Sequence, residues 1–135
     1  MAIVKDRGRQ YPLWAYQQAA LADLPTGVTT DLIDLPPNAV IVDGFLETSE
    51  GFNAGTSAVM DVGITGTPTK FLTDSNVAAP ATVSFAVAVL AIPTGTTGTK
   101  ITVTPTYVGT AATLGKLWVG VAYVIRARAN ENQPY

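Results

Sequence analysis

Lys100-Ile101-Thr102-Val103-Thr104-Pro105-Thr106-Tyr107 is the stretch that decides the fold. Ile101, Val103, Pro105 and Tyr107 alternate with Lys100, Thr102, Thr104 and Thr106, and a period of two places the two sets on opposite faces of a half-buried β-strand. Proline cannot donate to a ladder, so Pro105 predicts a sheet edge or a bulge.

The same pattern continues outward in both directions. Residues 117–128 put Leu117, Val119, Val121, Tyr123 and Ile125 against Trp118, Gly120, Ala122, Val124, Arg126 and Arg128. Residues 83–91 place Val83, Phe85, Val87 and Val89 opposite Ser84, Ala86, Ala88 and Leu90; both faces are apolar, which predicts a central strand covered on both sides. After the turn signal Leu35-Pro36-Pro37-Asn38, residues 38–48 oppose Val40, Val42, Gly44 and Leu46 to Ile41, Asp43, Phe45 and Glu47. Shorter candidates are residues 28–33, 57–64 and 70–73. Residues 14–24 include enough helix formers for one short helix, but a strand within 13–24 brings the total to about eight, spaced as in β-sandwiches and barrels. The connecting loops are rich in Thr and Gly. The reading is all-β: a single-domain β-sandwich over 17–128, an extended N-terminal arm over 1–16 and a C-terminal tail over 129–135.

The 135 residues are 47% hydrophobic and 13% charged, against roughly 25% charged in an ordinary soluble domain. There is no Cys and no His. This removes Cys and His nucleophiles, Ser-His triads, Cys/His zinc sites and the usual proton shuttle near neutral pH. The expectation is no enzyme, no catalytic residue, no metal and no cofactor. A net charge of −2 lacks the basic footprint of a nucleic-acid binder. Met1 to Val4 is too short for a signal peptide, and residues 77–92 are too short and too interrupted to span a bilayer, so neither nucleic acid nor membrane is expected as a partner.

Charge is unevenly placed. Lys5, Arg7 and Arg9 crowd the first ten residues, no further Lys or Arg occurs before Lys70, and seven carboxylates fill residues 23–61. A glycosidase pair fails on spacing, since Asp43 and Glu47 lie roughly 13 Å apart along a strand. No calcium loop frames Asp31, Asp34, Glu47 or Glu50. Gly95-Thr96-Thr97-Gly98-Thr99-Lys100 has the look of a phosphate loop, but it leads into a strand and reads as a hairpin turn. Lys5, Arg7 and Arg9 with Tyr11, Trp14 and Tyr16 form a basic-aromatic cluster. It is read as a docking arm, with Arg engaging carboxylates and the aromatics burying area on a partner.

Asp34-Leu35-Pro36-Pro37-Asn38-Ala39-Val40-Ile41-Val42, then Gly51-Phe52-Asn53-Ala54-Gly55-Thr56-Ser57-Ala58, then Met60-Asp61-Val62-Gly63, resembles a segment of virion proteins of tailed bacteriophages. The whole is similar to small capsid cement (decoration) proteins with a jelly-roll fold, of the type on a Bordetella-infecting short-tailed phage. That resemblance implies a structural protein on the outer surface of a phage head, made in the bacterial host cytoplasm. It would bind the major capsid protein, bridge its subunits and stabilise the shell against internal DNA pressure. Two-fold pairing is the default for a small oligomer, so a homodimer is expected over a trimer. The alternative is a carbohydrate-binding or structural sandwich of a tail or fibre, with Trp14, Trp118 or a tyrosine stacked on sugar.

Overall fold

The computed structural model describes residues 10–86 and 92–126. Its strands are β1 (Leu13–Ala20), β2 (Thr30–Leu35), β3 (Ala39–Glu50), β4 (Ser57–Ile64), β5 (Thr67–Asn76), β6 (Ala81–Ser84), β7 (Ile92–Pro93), β8 (Thr99–Val108) and β9 (Lys116–Ile125). One antiparallel sheet has the order β1-β9-β3-β6, with the two-residue β7 also on β3; the other runs β2-β8-β4-β5. The chain crosses repeatedly between the two sheets. This is the expected β-sandwich of jelly-roll type.

Alternation explains the core. Ile101 and Val103 of β8, Met60 and Val62 of β4, and Leu117, Val119 and Val121 of β9 are fully buried between the sheets. Each such side chain contributes roughly 1.5–3 kcal/mol by leaving water. Phe71 of β5 and Phe85, just past β6, stack at 4.5 Å with their planes 3° apart, joining the two sheets through the core.

The segment quoted for the family resemblance does structural work. Asn38 takes φ 61 in the turn after Pro36-Pro37, a conformation that asparagine tolerates better than most residues. Phe52 is fully buried, and its N–H donates to Val77 O at 2.9 Å. The Asn53 side chain accepts from the N–H groups of Thr113 and Leu114, at 2.7 and 2.9 Å, and donates to Thr113 Oγ1 at 2.9 Å. Gly55 bonds back to Thr110 O at 2.8 Å.

Three expectations are corrected. Residues 38–48 do not alternate strictly, because the β3–β9 register shifts between Ile41 and Asp43; Ile41 and Gly44 both face the core, with Val42 as the extra residue. The strand expected over 83–91 is not central: β6 pairs only with β3 among the described residues, and 87–91 lie outside them. Its outward positions among the described residues, Ser84 and Ala86, are exposed, so no second layer covers them. Pro105 lies in an interior strand without a bulge at its position, paired with Met60. Its carbonyl accepts from Gly27 N at 2.7 Å, so its ring nitrogen faces the same side, beyond the end of β2 where no ladder bond is required. The segment 13–24 is a strand ending in a short 3-10 turn, Leu21–Asp23. Residues 13–16 of the expected arm thus form the first half of β1, while 1–9 and 127–135 lie outside the described residues.

Candidate functional site

Antiparallel register places directly opposed residues on the same face, which allows the outer surface of the β1-β9-β3-β6 sheet to be read off its pairs. On that surface Trp14 pairs with Ala122, Tyr16 with Gly120 and Gln18 with Trp118; Ala122 then pairs with Asp43, Gly120 with Phe45 and Trp118 with Glu47. Four aromatic rings therefore surround two small residues. Trp14 touches Phe45 with centroids 5.9 Å apart at 42°, and Tyr16 touches Trp118 at 5.9 Å and 53°. The Phe45 ring covers Gly120, where a Cβ would come within 2.5 Å of it.

This face is open to solvent. Trp14 is 50% exposed and Tyr16 66%. Phe45 and Trp118 are half-buried by their ring partners. Aromatic pairs of this kind hold one another in place at about 0.5–1.5 kcal/mol each, so the surface is preorganised and loses little side-chain entropy on contact.

Of the expected docking residues, the structure brings Trp14 and Tyr16 together on this face, with Tyr11 two residues before the strand and 66% exposed. Lys5, Arg7 and Arg9 lie outside the described residues. Phe45 was not singled out from sequence. It joins the cluster because β9 sits between β1 and β3, a neighbourhood that no local pattern encodes.

Charge divides along the chain. The described residues carry four basic and eight acidic side chains, whereas residues 1–9 carry three basic and one acidic. Asp43 and Glu47 stand on the aromatic face, and no ion pair engages either among the described residues. Other carboxylates serve backbone donors: Asp23 accepts from Ala20 N at 3.1 Å, Asp61 from Asp74 N at 2.7 Å and Glu50 from Gly115 N at 3.1 Å.

The phosphate-loop resemblance at residues 95–100 has its cation engaged elsewhere. Lys100 Nζ lies 3.6 Å from Asp31 and 3.9 Å from Asp34, beside an open cleft of about 370 Å³ lined by Asp34, Thr65 and Thr97. Asp34 in its wall, and the engagement of Lys100 by both Asp31 and Asp34, disfavour a phosphate. No three His, Cys, Asp or Glu side chains gather as a metal site among the described residues, and no helix there is long and apolar enough to cross a membrane.

No protein-family profile and no curated protein matches the sequence. Two solved structures share its fold. A chain of the cyanophage Pam1 capsid asymmetric unit matches with a TM-score of 0.70 and 20% identity, over 93% of this chain and 91% of that one. A chain of the capsid of Ralstonia phage GP4 matches with a TM-score of 0.67 and 22% identity, over 95% of this chain and 92% of that one.

Proposed function

We propose that this chain is a structural, non-enzymatic virion protein of a tailed bacteriophage. In this reading it sits on the outer surface of the head, bridges neighbouring major capsid protein subunits and holds the shell against the pressure of packaged DNA. The observation that carries the reading is the exposed, preorganised aromatic face of Trp14, Tyr16, Phe45 and Trp118 on a chain that is only 13% charged. Covering such a surface buries only two charges, Asp43 and Glu47, and these call for cationic groups on the partner, since an unpaired buried charge costs several kcal/mol per ion. Support also comes from the resemblance at residues 34–63 and from the two phage-capsid chains of the same fold. Lys5, Arg7 and Arg9 add charge-assisted contacts to carboxylates of the shell, and Tyr11, Trp14 and Tyr16 supply buried area. Contact with several subunits at once multiplies modest affinities.

Sedimentation of the purified protein with heads that lack it tests this. The wild-type chain is expected to pellet with the heads. The Trp14→Ala/Tyr16→Ala variant should lose at least about tenfold in occupancy with an unchanged circular dichroism spectrum, as for interface anchors worth about 2 kcal/mol. Wild-type protein that stays in the supernatant overturns the reading, and equal occupancy of the double variant removes the aromatic face from it.

One observation favours a second reading. Exposed flat rings at Trp14 and Tyr16 beside the acceptors Asp43 and Glu47 would also suit a sugar on a tail or fibre. Glycan binding lost on Trp14→Ala, without head binding, would select it. Trp118 is less suited to stacking because Tyr16 already leans on it.

A further inference from the structure

We propose that in the free protein residues 1–9 lie extended across the aromatic face of their own chain, with Arg9, Arg7 and Lys5 over Asp43, Phe45 and Glu47. Those three residues follow one another at every second position of β3 and share its outer surface. The two carboxylates stand roughly 13 Å apart. Both are exposed, and no ion pair engages either among the described residues. Asp43 Oδ1 accepts from Gly44 N at 2.8 Å, which orients the carboxylate and turns its second oxygen to a cation. Between them Phe45 is held against Trp14.

The first nine residues carry Lys5, Arg7 and Arg9 against a single carboxylate, Asp6. Drawn out as a strand, their period of two sets the three cations on one side and Asp6 and Gly8 on the other. The match to β3 is one for one. Arg9 and Lys5 meet the carboxylates, and Arg7 meets the rings of Phe45 and Trp14, whose negative faces attract a guanidinium. Asp6 turns away, so no like charges meet. The starting point of the arm suits this path. The Gln10 carboxamide bonds both main-chain groups of Ile125, which fixes the chain at the corner of the sheet nearest Asp43. From there, strand rise and spacing put Asp43 about 14 Å away and Glu47 about 25 Å, and nine extended residues span about 30 Å. The order also fits, because the cation closest to Gln10 along the chain meets the carboxylate closest to it in space.

The arm then shields the face off the head, and it must lift before a shell can cover the same rings and supply its own cations. The contact belongs to the free chain, so its failure leaves the shell reading untouched. The chain has no Cys, so a disulfide reports the path without removing either ion pair. Arg7→Cys/Phe45→Cys should close within one chain on mild oxidation, losing its thiols while running at the monomer mass of 14.1 kDa on a denaturing gel. Arg7→Cys/Thr106→Cys, with its second thiol on the outer face of the other sheet, should not close. Trypsin cuts after Lys5, Arg7 and Arg9 and gives a second readout. Asp43→Asn/Glu47→Gln, with unchanged circular dichroism, should be cut in this segment about fivefold faster than the wild type at low salt. The difference should vanish at 1 M salt, where screening acts within about 3 Å. A disulfide between two chains, equal closure with residue 106, or equal cleavage of wild type and variant at low salt would each overturn the proposal.

Discussion

The outer faces of the two sheets are built on the same kind of β-strand yet differ in what they show to their surroundings. On the β1-β9-β3-β6 sheet the outward positions are Trp14, Tyr16, Phe45 and Trp118, over Gly120 and Ala122. On the β2-β8-β4-β5 sheet they are Thr102, Thr104 and Thr106 of β8 beside Ser57, Val59 and Asp61 of β4. Thr104 and Thr29 join their hydroxyls at 2.8 Å, and Lys100 draws in Asp31 and Asp34. Exposed threonine satisfies strand geometry and water together, so the second face, apart from the buried hydroxyl of Thr102, needs no further cover. The first leaves large rings half-covered, which is the composition of an interface rather than of a solvated sheet.

Glycine in the middle of each face separates them most sharply. A Cβ on Gly63 would meet Thr67 O at 2.2 Å and the Pro68 carbonyl carbon at 2.4 Å, and backbone cannot swing aside. A Cβ on Gly120 would meet the Phe45 ring, a half-exposed side chain on an open face. Gly63→Ala should therefore cost about 3 kcal/mol or more in urea unfolding, and Gly120→Ala about 1 kcal/mol. Equal losses would mean that the Phe45 ring is as fixed as backbone and that the aromatic face is part of the core.

Strands whose alternation is uninterrupted were legible from sequence: β4 is found at its expected limits, while β8 and β9 are found within a few residues of theirs. So were the turn at Asn38 and three of the four rings as candidates: Trp14 and Tyr16 in the basic-aromatic cluster, and Trp118 in the sugar-binding alternative. The facing of β3 was not, because nothing in Val40-Ile41-Val42-Asp43 marks the extra residue that shifts its phase. The edge position of β6 was not, because apolar alternation reports burial and not which strand lies alongside. The cluster as a whole escaped because Tyr16 and Trp118 are brought together by pairing over about a hundred residues of chain, information carried by topology alone. What three of the carboxylates between residues 23 and 61 do was not legible for a related reason: Asp23, Glu50 and Asp61 answer backbone donors fixed only by the folded chain.

The Thr-faced sheet is tied to its loops by side chains, and Tyr107 is one of these ties. Its hydroxyl donates to Leu24 O at 3.1 Å, its ring stacks on Phe52 at 5.8 Å and 15°, and burial pushes its pKa up from 10.0 to about 12. The unfolded chain then releases the phenolic proton at lower pH than the folded one. Stability is fully present below pH 10 and is lost progressively as pH rises through about 12. Tyr107→Phe should cost about 1 kcal/mol at neutral pH and flatten part of that alkaline loss. Unfolding curves at pH 7 and at pH 11 check both, and an alkaline slope identical in the variant would break the assignment to Tyr107.

The smallest expected effect has the opposite sign and lies at the centre of the Thr face. Thr102 stands between Asp31 and Gly63, is 2% exposed, and its Oγ1 has no hydrogen-bond partner among the described residues. A hydroxyl in that state has lost water without replacing it, at a cost of about 1 kcal/mol or more, whereas a methyl of the same shape has nothing to lose. Valine keeps the branched Cβ and the strand preference that threonine supplies. Thr102→Val should therefore raise stability by about 0.5–1 kcal/mol, seen as a higher urea midpoint at unchanged slope. Thr104→Val, which breaks the bond to Thr29, should lower it by a similar amount. If both changes destabilise, the Thr face depends on every hydroxyl it carries; if both stabilise, its polarity is kept for solubility and not for the fold.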